Sequence, residues 1–181
     1  MGFDATITAG LNALAGRWPA LDLVVSAFAE TGLYLIVGSI ALRWWAARER
    51  TQARFVAICC GLSTALGLLI NQGILLVFDR VRPYDAGVTH LVVAPSADPS
   101  FPSDHATVAF AAAFALFLRR DRWAWAYMTA ALAMGAARIY IGTHYLTDII
   151  GGAGTAALAA LAVAAFYRAE SALNRRLVRL F

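Results

Sequence analysis

Long apolar runs broken by short charged clusters set the pattern of this chain, and they predict helices that cross a membrane. Leu21–Trp45 and Phe55–Phe78 are each apolar for long enough to span, since about 20 such residues cross the hydrocarbon. His105–Leu118 is a third apolar run, Trp123 to about Ile141 a fourth, and about Tyr145 to Tyr167 a fifth. Residues 1–20 do not make a span, because Gly10, Gly16, Arg17 and Pro19 interrupt them. With no basic segment leading into an apolar stretch, they read as a short amphipathic piece at the interface and not as a cleaved leader. Between the second and third runs lies a polar loop, Asp79–Ser103, punctuated by Pro83, Gly87, Pro95, Pro99 and Pro102. The expectation is one all-α domain over 1–181, an integral membrane bundle of about five to six helices.

Composition agrees with the pattern. Hydrophobic residues make up 61% of the 181 and charged residues only 14%, with a mean hydropathy of +0.66. Soluble domains carry roughly 25% charged residues. The adjacent Cys59 and Cys60 suggest neither a disulfide framework nor a metal site, and the three histidines fit no zinc spacing. No cofactor or metal is therefore expected.

The net charge of +4 would hint at nucleic acid in a soluble protein, but the arginine positions explain it better. All fifteen basic residues are arginine, and eleven follow spans one, three and five. Those include Arg43, Arg48, Arg50 and Arg54, then Arg119, Arg120 and Arg122, then Arg168, Arg175, Arg176 and Arg179. By the positive-inside rule these segments face the cytoplasm, and the 79–103 loop and the turn near 142–144 face outward. Arg80, Arg82 and Arg138 then lie on the side the rule disfavours, beside His105 and His144. That calls for an outward-facing anion site.

Three stretches converge there. Asp79-Arg80-Val81-Arg82-Pro83 follows span two. Phe101-Pro102-Ser103-Asp104-His105 opens span three, with Ser103 as an expected N-cap and free helix amides behind it. The third stretch, Ala137 to Asp148, carries Arg138, His144 and Asp148. His144 and Asp148 are four apart and would share a helix face, so the carboxylate could bond one ring nitrogen and leave the other nucleophilic. The plainer reading of that pair is a capped helix end. Two arginines, a serine hydroxyl and helix amides make a phosphate cradle, and two histidines supply a nucleophile and a proton donor. Ser103 to Leu118 is sixteen residues, roughly 24 Å of helix against about 30 Å of hydrocarbon. His105 then falls near headgroup depth, which favours a lipid phosphate.

These residues resemble the three-part signature of the PAP2 (type 2 phosphatidic acid phosphatase) superfamily. Phe-Pro-Ser-Asp-His, Arg-Pro-Tyr and Gly-Thr-His-Tyr, with the Asn71-to-Arg82 spacing, are similar to its bacterial undecaprenyl-diphosphatase branch of the bacitracin-resistance type. The resemblance implies that His144 attacks phosphorus to form a phosphohistidine and that Asp148 orients it. His105 would protonate the leaving phosphate and later activate water, while Arg82, Arg138 and Ser103 bind phosphoryl oxygens. It further implies a lipid diphosphate substrate and a bacterial cytoplasmic membrane with the site facing outward. This chain departs from the wider family at two positions. Leu75 stands where a lysine is usual, with Arg80 the candidate replacement cation, and Asp104 stands where a glycine is usual.

Other polar residues have two readings each. Glu30, inside span one, faces the site or satisfies an interhelical bond. Asn71 reads as packing glue, and His90 as a solvated or lid histidine. Tyr84 and Leu91-Val92-Val93 contact lipid or close over the site. Gly151, Gly152 and Gly154 suit close helix packing, and Trp44, Trp45, Trp123 and Trp125 form an aromatic belt. Two further functions stay open: phosphatase action on phosphatidylglycerophosphate, phosphatidate or another prenyl phosphate, and non-catalytic lipid-phosphate binding. Oligomeric state is not legible.

Overall fold

The computed structural model describes residues 2–46 and 50–168. Arg48, Arg175, Arg176 and Arg179 of the expected cytoplasmic clusters lie outside the described residues. Six helices follow in order: α1 (Phe3–Asn12), α2 (Pro19–Ala46), α3 (Arg50–Leu75), α4 (Asp104–Leu118), α5 (Ala124–Tyr140) and α6 (Leu146–Phe166). Among the described residues α2, α3 and α6 are long and apolar enough to cross a membrane, and α4 is a shorter apolar helix. This is an all-helical membrane bundle.

The helix α4 stands at its centre, packed against α3, α5 and α6. Its alanines make that possible. Ala106, Ala109, Ala111, Ala112, Ala113 and Ala115 are all buried, so neighbouring backbones approach closely where there is no water to drive large side chains together. Large apolar side chains point outward instead, among them Leu23, Val24, Tyr34, Leu35 and Leu69, as a lipid-facing surface requires.

Successive helices run antiparallel, so the end of α3, the start of α4, the end of α5 and the start of α6 share one end of the bundle. Leu75 ends α3 three residues before the apolar run does; the Ile74 carbonyl takes the amides of Val77 and Phe78. The 76–103 segment then folds back on the bundle without regular structure. Phe78 packs edge-on against Phe101 at 5.3 Å, so the segment's two ends meet.

Of residues 1–20, expected at the interface, Phe3–Asn12 form α1 across this same end, and Pro19 and Ala20 already belong to α2. Thr8 Oγ1 accepts from the Leu146 amide at 3.1 Å, and Asn12 bonds the His90 backbone and the Tyr140 carbonyl. Side chains therefore tie α1 to the start of α6 and the end of α5.

Two of the three glycines expected to permit close packing do so. A Cβ on Gly152 would meet the Ser103 carbonyl at 2.6 Å and Thr107 Oγ1 at 3.0 Å, and one on Gly151 would strike the Phe101 ring. Gly154 has nothing within 4 Å. Gly152→Ala must push α6 away from the first turn of α4, costing about 1–3 kcal/mol. A lowered melting temperature is expected for Gly152→Ala in detergent, with Gly154→Ala unchanged as the comparison.

Candidate active site

The turn between α5 and α6 carries His144. Gly142, at φ +84°, stops α5, and a Cβ there would collide with the His90 carbonyl. Tyr145 is the N-cap of α6, and Asp148 in its first turn reaches back to the Tyr145 amide at 2.8 Å. His144 therefore sits just before the helix and does not share a helical face with Asp148. Its Nδ1 lies 2.8 Å from the Ser100 carbonyl oxygen and 3.6 Å from Asp148 Oδ2. The second distance carries electrostatic attraction but no hydrogen bond. A carbonyl can only accept, so the proton belongs on Nδ1 and Nε2 keeps its lone pair. The partner that sets the tautomer is Ser100, which the motif reading missed.

Ser100 is fully buried and bonds through three groups. Its amide donates to the Arg80 carbonyl at 2.8 Å, its carbonyl accepts from His144, and its hydroxyl donates to Asp148 Oδ2 at 2.6 Å. Only its place in a Pro-Ser pair two residues before the Pro-Ser-Asp-His run marked it in the sequence.

Nε2 of His144 faces Arg82, with Nη1 at 3.4 Å. Arg82 is 6% exposed and bonds only neutral groups: the Asp98 and Thr143 carbonyls at 2.8 and 3.0 Å and Ser96 Oγ at 3.3 Å. Arg138 is 8% exposed, and its buried Nε has no hydrogen-bond partner among the described residues. Neither arginine forms an ion pair with a described residue. His105, in the first turn of α4, lies near His144 and close enough to Arg138 and Arg82 to feel their charge. Ser103 caps α4 as expected; its hydroxyl accepts from the Ala106 amide at 3.5 Å. Two cations, a helix N-terminus and two imidazoles thus lie at the same end of the bundle, within electrostatic reach of one another.

Burial pushes the His144 imidazole below its ordinary value; the Arg138 and Arg82 charges add to that, while Asp148 opposes it. Burial and the arginine charges both favour the neutral ring, whose Nε2 lone pair faces Arg82 Nη1.

Other expected site residues are engaged elsewhere. Arg80 is not a free phosphate cation, because Nη1 bonds Asp148 Oδ1 and Nη2 bonds Asp4 Oδ2, each at 2.6 Å. Asp104 is exposed and pairs with the Asn71 amide at 2.7 Å instead of an arginine; the same amide bonds Thr107, so Asn71 does link α3 to α4. Tyr84 braces its own loop, donating to the Ser96 carbonyl and accepting the Ser96 amide. Val92 and Val93 pack on Ile141, Ala137 and Tyr140 and do not lie over the site. His90 enters only through its backbone, and its side chain is exposed. Glu30 is exposed on α2, near enough to act on the charge of Arg138. Among the described residues no group of three or more His, Cys, Asp and Glu is placed to hold a metal.

Comparison with known proteins fits this arrangement. Undecaprenyl-diphosphatase BcrC of Bacillus subtilis is 38% identical over 101 residues, 56% of this chain and 52% of that protein. The putative undecaprenyl-diphosphatase YbjG of Escherichia coli is 29% identical over 69% of this chain and 63% of its own length. The chain thus aligns with about half to two thirds of each. Among solved structures, Aquifex aeolicus LpxE superposes with a TM-score of 0.72 at 22% identity, covering 92% of this chain and 97% of its own. A transmembrane PAP2 type phosphatidylglycerolphosphate phosphatase from Bacillus subtilis gives 0.67 at 24%, covering 93% and 86%. Both have the same fold. The family model described as the PAP2 superfamily matches residues 56–172, which include every arginine, histidine and aspartate of the cradle, and this chain belongs to that superfamily.

Proposed function

We propose that this protein is a membrane phosphatase that hydrolyses undecaprenyl diphosphate to undecaprenyl phosphate and inorganic phosphate. The observation that carries the reading is the pair of buried arginines with no ion pair to a described carboxylate, one of which, Arg82, points Nη1 at the Nε2 lone pair of His144 at 3.4 Å. A buried cation with no carboxylate in ion-pair contact is unfavourable, Glu30 acting on Arg138 only from a distance, and a phosphoryl group supplies the missing contact. The named relatives point to the lipid diphosphate.

In this reading the terminal phosphoryl group lies between Arg82 and Arg138. Nε2 of His144 attacks phosphorus, the bond to the bridging oxygen breaks, and His105 gives its proton to that oxygen. Water then attacks the phosphohistidine, with His105 taking its proton, and Nε2 leaves. The arginines hold the charge that builds on the equatorial oxygens. The site faces outward from a bacterial cytoplasmic membrane, a placement supported by the arginine clusters at the opposite end of the bundle.

Phosphate release from purified protein tests this directly, with undecaprenyl diphosphate offered beside phosphatidylglycerophosphate and phosphatidate. A preference for the prenyl diphosphate supports the reading, preference for a glycerolipid moves the substrate but keeps the chemistry, and no release from any of them refutes it. Activity in excess EDTA should equal that without it, because the arginines supply the positive charge.

His144→Ala should lower turnover on the order of 10³-fold or more. Arg138→Lys should lose roughly 10- to 100-fold in kcat/KM, because a point cation cannot hold two oxygens side by side. Protonation removes the nucleophile, and the His144 value is depressed, so the acidic limb of kcat/KM should fall below about pH 6.5. A limb well above that value would contradict a buried neutral imidazole.

A further inference from the structure

The helix α1 brings an acidic side chain to the back of the site. Asp4 accepts three hydrogen bonds there: from Arg80 Nη2 at 2.6 Å, from the Thr147 amide at 3.0 Å and from Thr147 Oγ1 at 2.5 Å. Arg80 in turn reaches Asp148 Oδ1 and Thr147 Oγ1 through Nη1, at 2.6 and 2.7 Å, and lies over the Tyr145 ring at 4.0 Å. Asp148 is wholly buried, and its other oxygen takes the Ser100 hydroxyl and the Tyr145 amide. The chain of contacts runs Asp4, Arg80, Asp148, Ser100, His144.

Resting on the proposed phosphatase function, we propose that Asp4 is a positioning residue for the reaction, holding Arg80 on Asp148 so that Asp148 and Ser100 fix the His144 ring. Arg80 carries one positive charge between two carboxylates. Remove the outer carboxylate and Nη2 is left without its acceptor, beside a site that binds anions. Arg80 is then free to turn away from Asp148 and toward substrate phosphate. Asp4 also accepts the second amide of α6, one of the donors that a helix start leaves without a partner. The hydrogen bonds from Thr147 and Arg80 outweigh burial and hold the Asp4 carboxyl below its usual range, so it is ionised at neutral pH.

A role confined to docking α1 makes a different forecast. The other ties of α1, through Thr8 and Asn12, do not pass through Arg80. Thr8→Ala loosens α1 and leaves the Asp4–Arg80 contact in place.

The experiment compares wild type, Asp4→Asn, Asp4→Glu and Thr8→Ala in detergent, with kcat and KM for phosphate release per folded protein. The expected result is a kcat lowered at least fivefold in Asp4→Asn with KM unchanged or smaller, substantial recovery in Asp4→Glu, and wild-type kinetics in Thr8→Ala. Wild-type kinetics in Asp4→Asn, or equal losses in Asp4→Asn and Thr8→Ala, would overturn the assignment. A second readout is the rate at which diethyl pyrocarbonate modifies His144, followed by peptide mass spectrometry; it should fall severalfold in Asp4→Asn. If the wild type releases no phosphate from any lipid, the proposed function fails, and an unchanged modification rate would then sink the positioning role separately.

Discussion

Arg82 and Arg138 place two guanidinium groups at one end of the bundle, nearly buried, with no described carboxylate paired to either. Burying a charge costs several kcal/mol when no opposite charge accompanies it. Carbonyls and a hydroxyl solvate Arg82, and Arg138 has less than that. The rest of the fold must hold this unfavourable arrangement in place. Acids at the same end are used in other ways: Asp148 and Asp4 neutralise Arg80, and Asp104 is held by Asn71. Arg80 is paired on both sides, while Arg82 and Arg138 carry no ion pair to a described residue.

Close packing around α4 makes that support rigid. Alanines on α4 and Gly152 on α6 bring the two helices near enough for the Ser103 amide to bond the Asp148 carbonyl at 3.1 Å. The N-terminus of α4, the Ser100 carbonyl and the His144 turn are thereby held in one register. The long segment between α3 and α4 contributes through its backbone, with Ser100 joined to both Arg80 and His144. Its length without regular structure fits a functional loop braced by its own side chains. The helix α4, with 15 residues, is shorter than the candidate spans α2, α3 and α6, with 28, 26 and 21.

The span pattern and the polar residues at the span ends were legible because both depend on local chemistry. Apolar runs of sufficient length can do little except cross a membrane. Arg82, Arg138, Ser103, His105 and His144 stand out as polar residues at span ends, and the structure brings them together. What was misread turned on distant partners or on a backbone turn that spacing alone does not report. Arg80 looked like a spare cation because its two carboxylates lie 76 and 68 positions away. Asp148 looked like the direct partner of His144 because i,i+4 spacing assumes a helix that Gly142 and the Tyr145 cap do not allow. Asp4 sits in a segment whose composition suggested only an interfacial piece, and no local signal distinguishes an acid that caps its own helix from one that reaches another.

The central claim is that the Ser100 carbonyl holds the Nδ1 proton and so presents Nε2 of His144 to phosphorus. Trapping the phosphoenzyme tests it most directly. Substrate labelled in its terminal phosphate is mixed with enzyme, quenched in alkali, digested, and the labelled peptide and its phosphohistidine isomer identified. The expected product is label on His144 attached at Nε2. Label on another residue, attachment at Nδ1, or turnover from a His144→Ala protein at the wild-type rate would contradict the account.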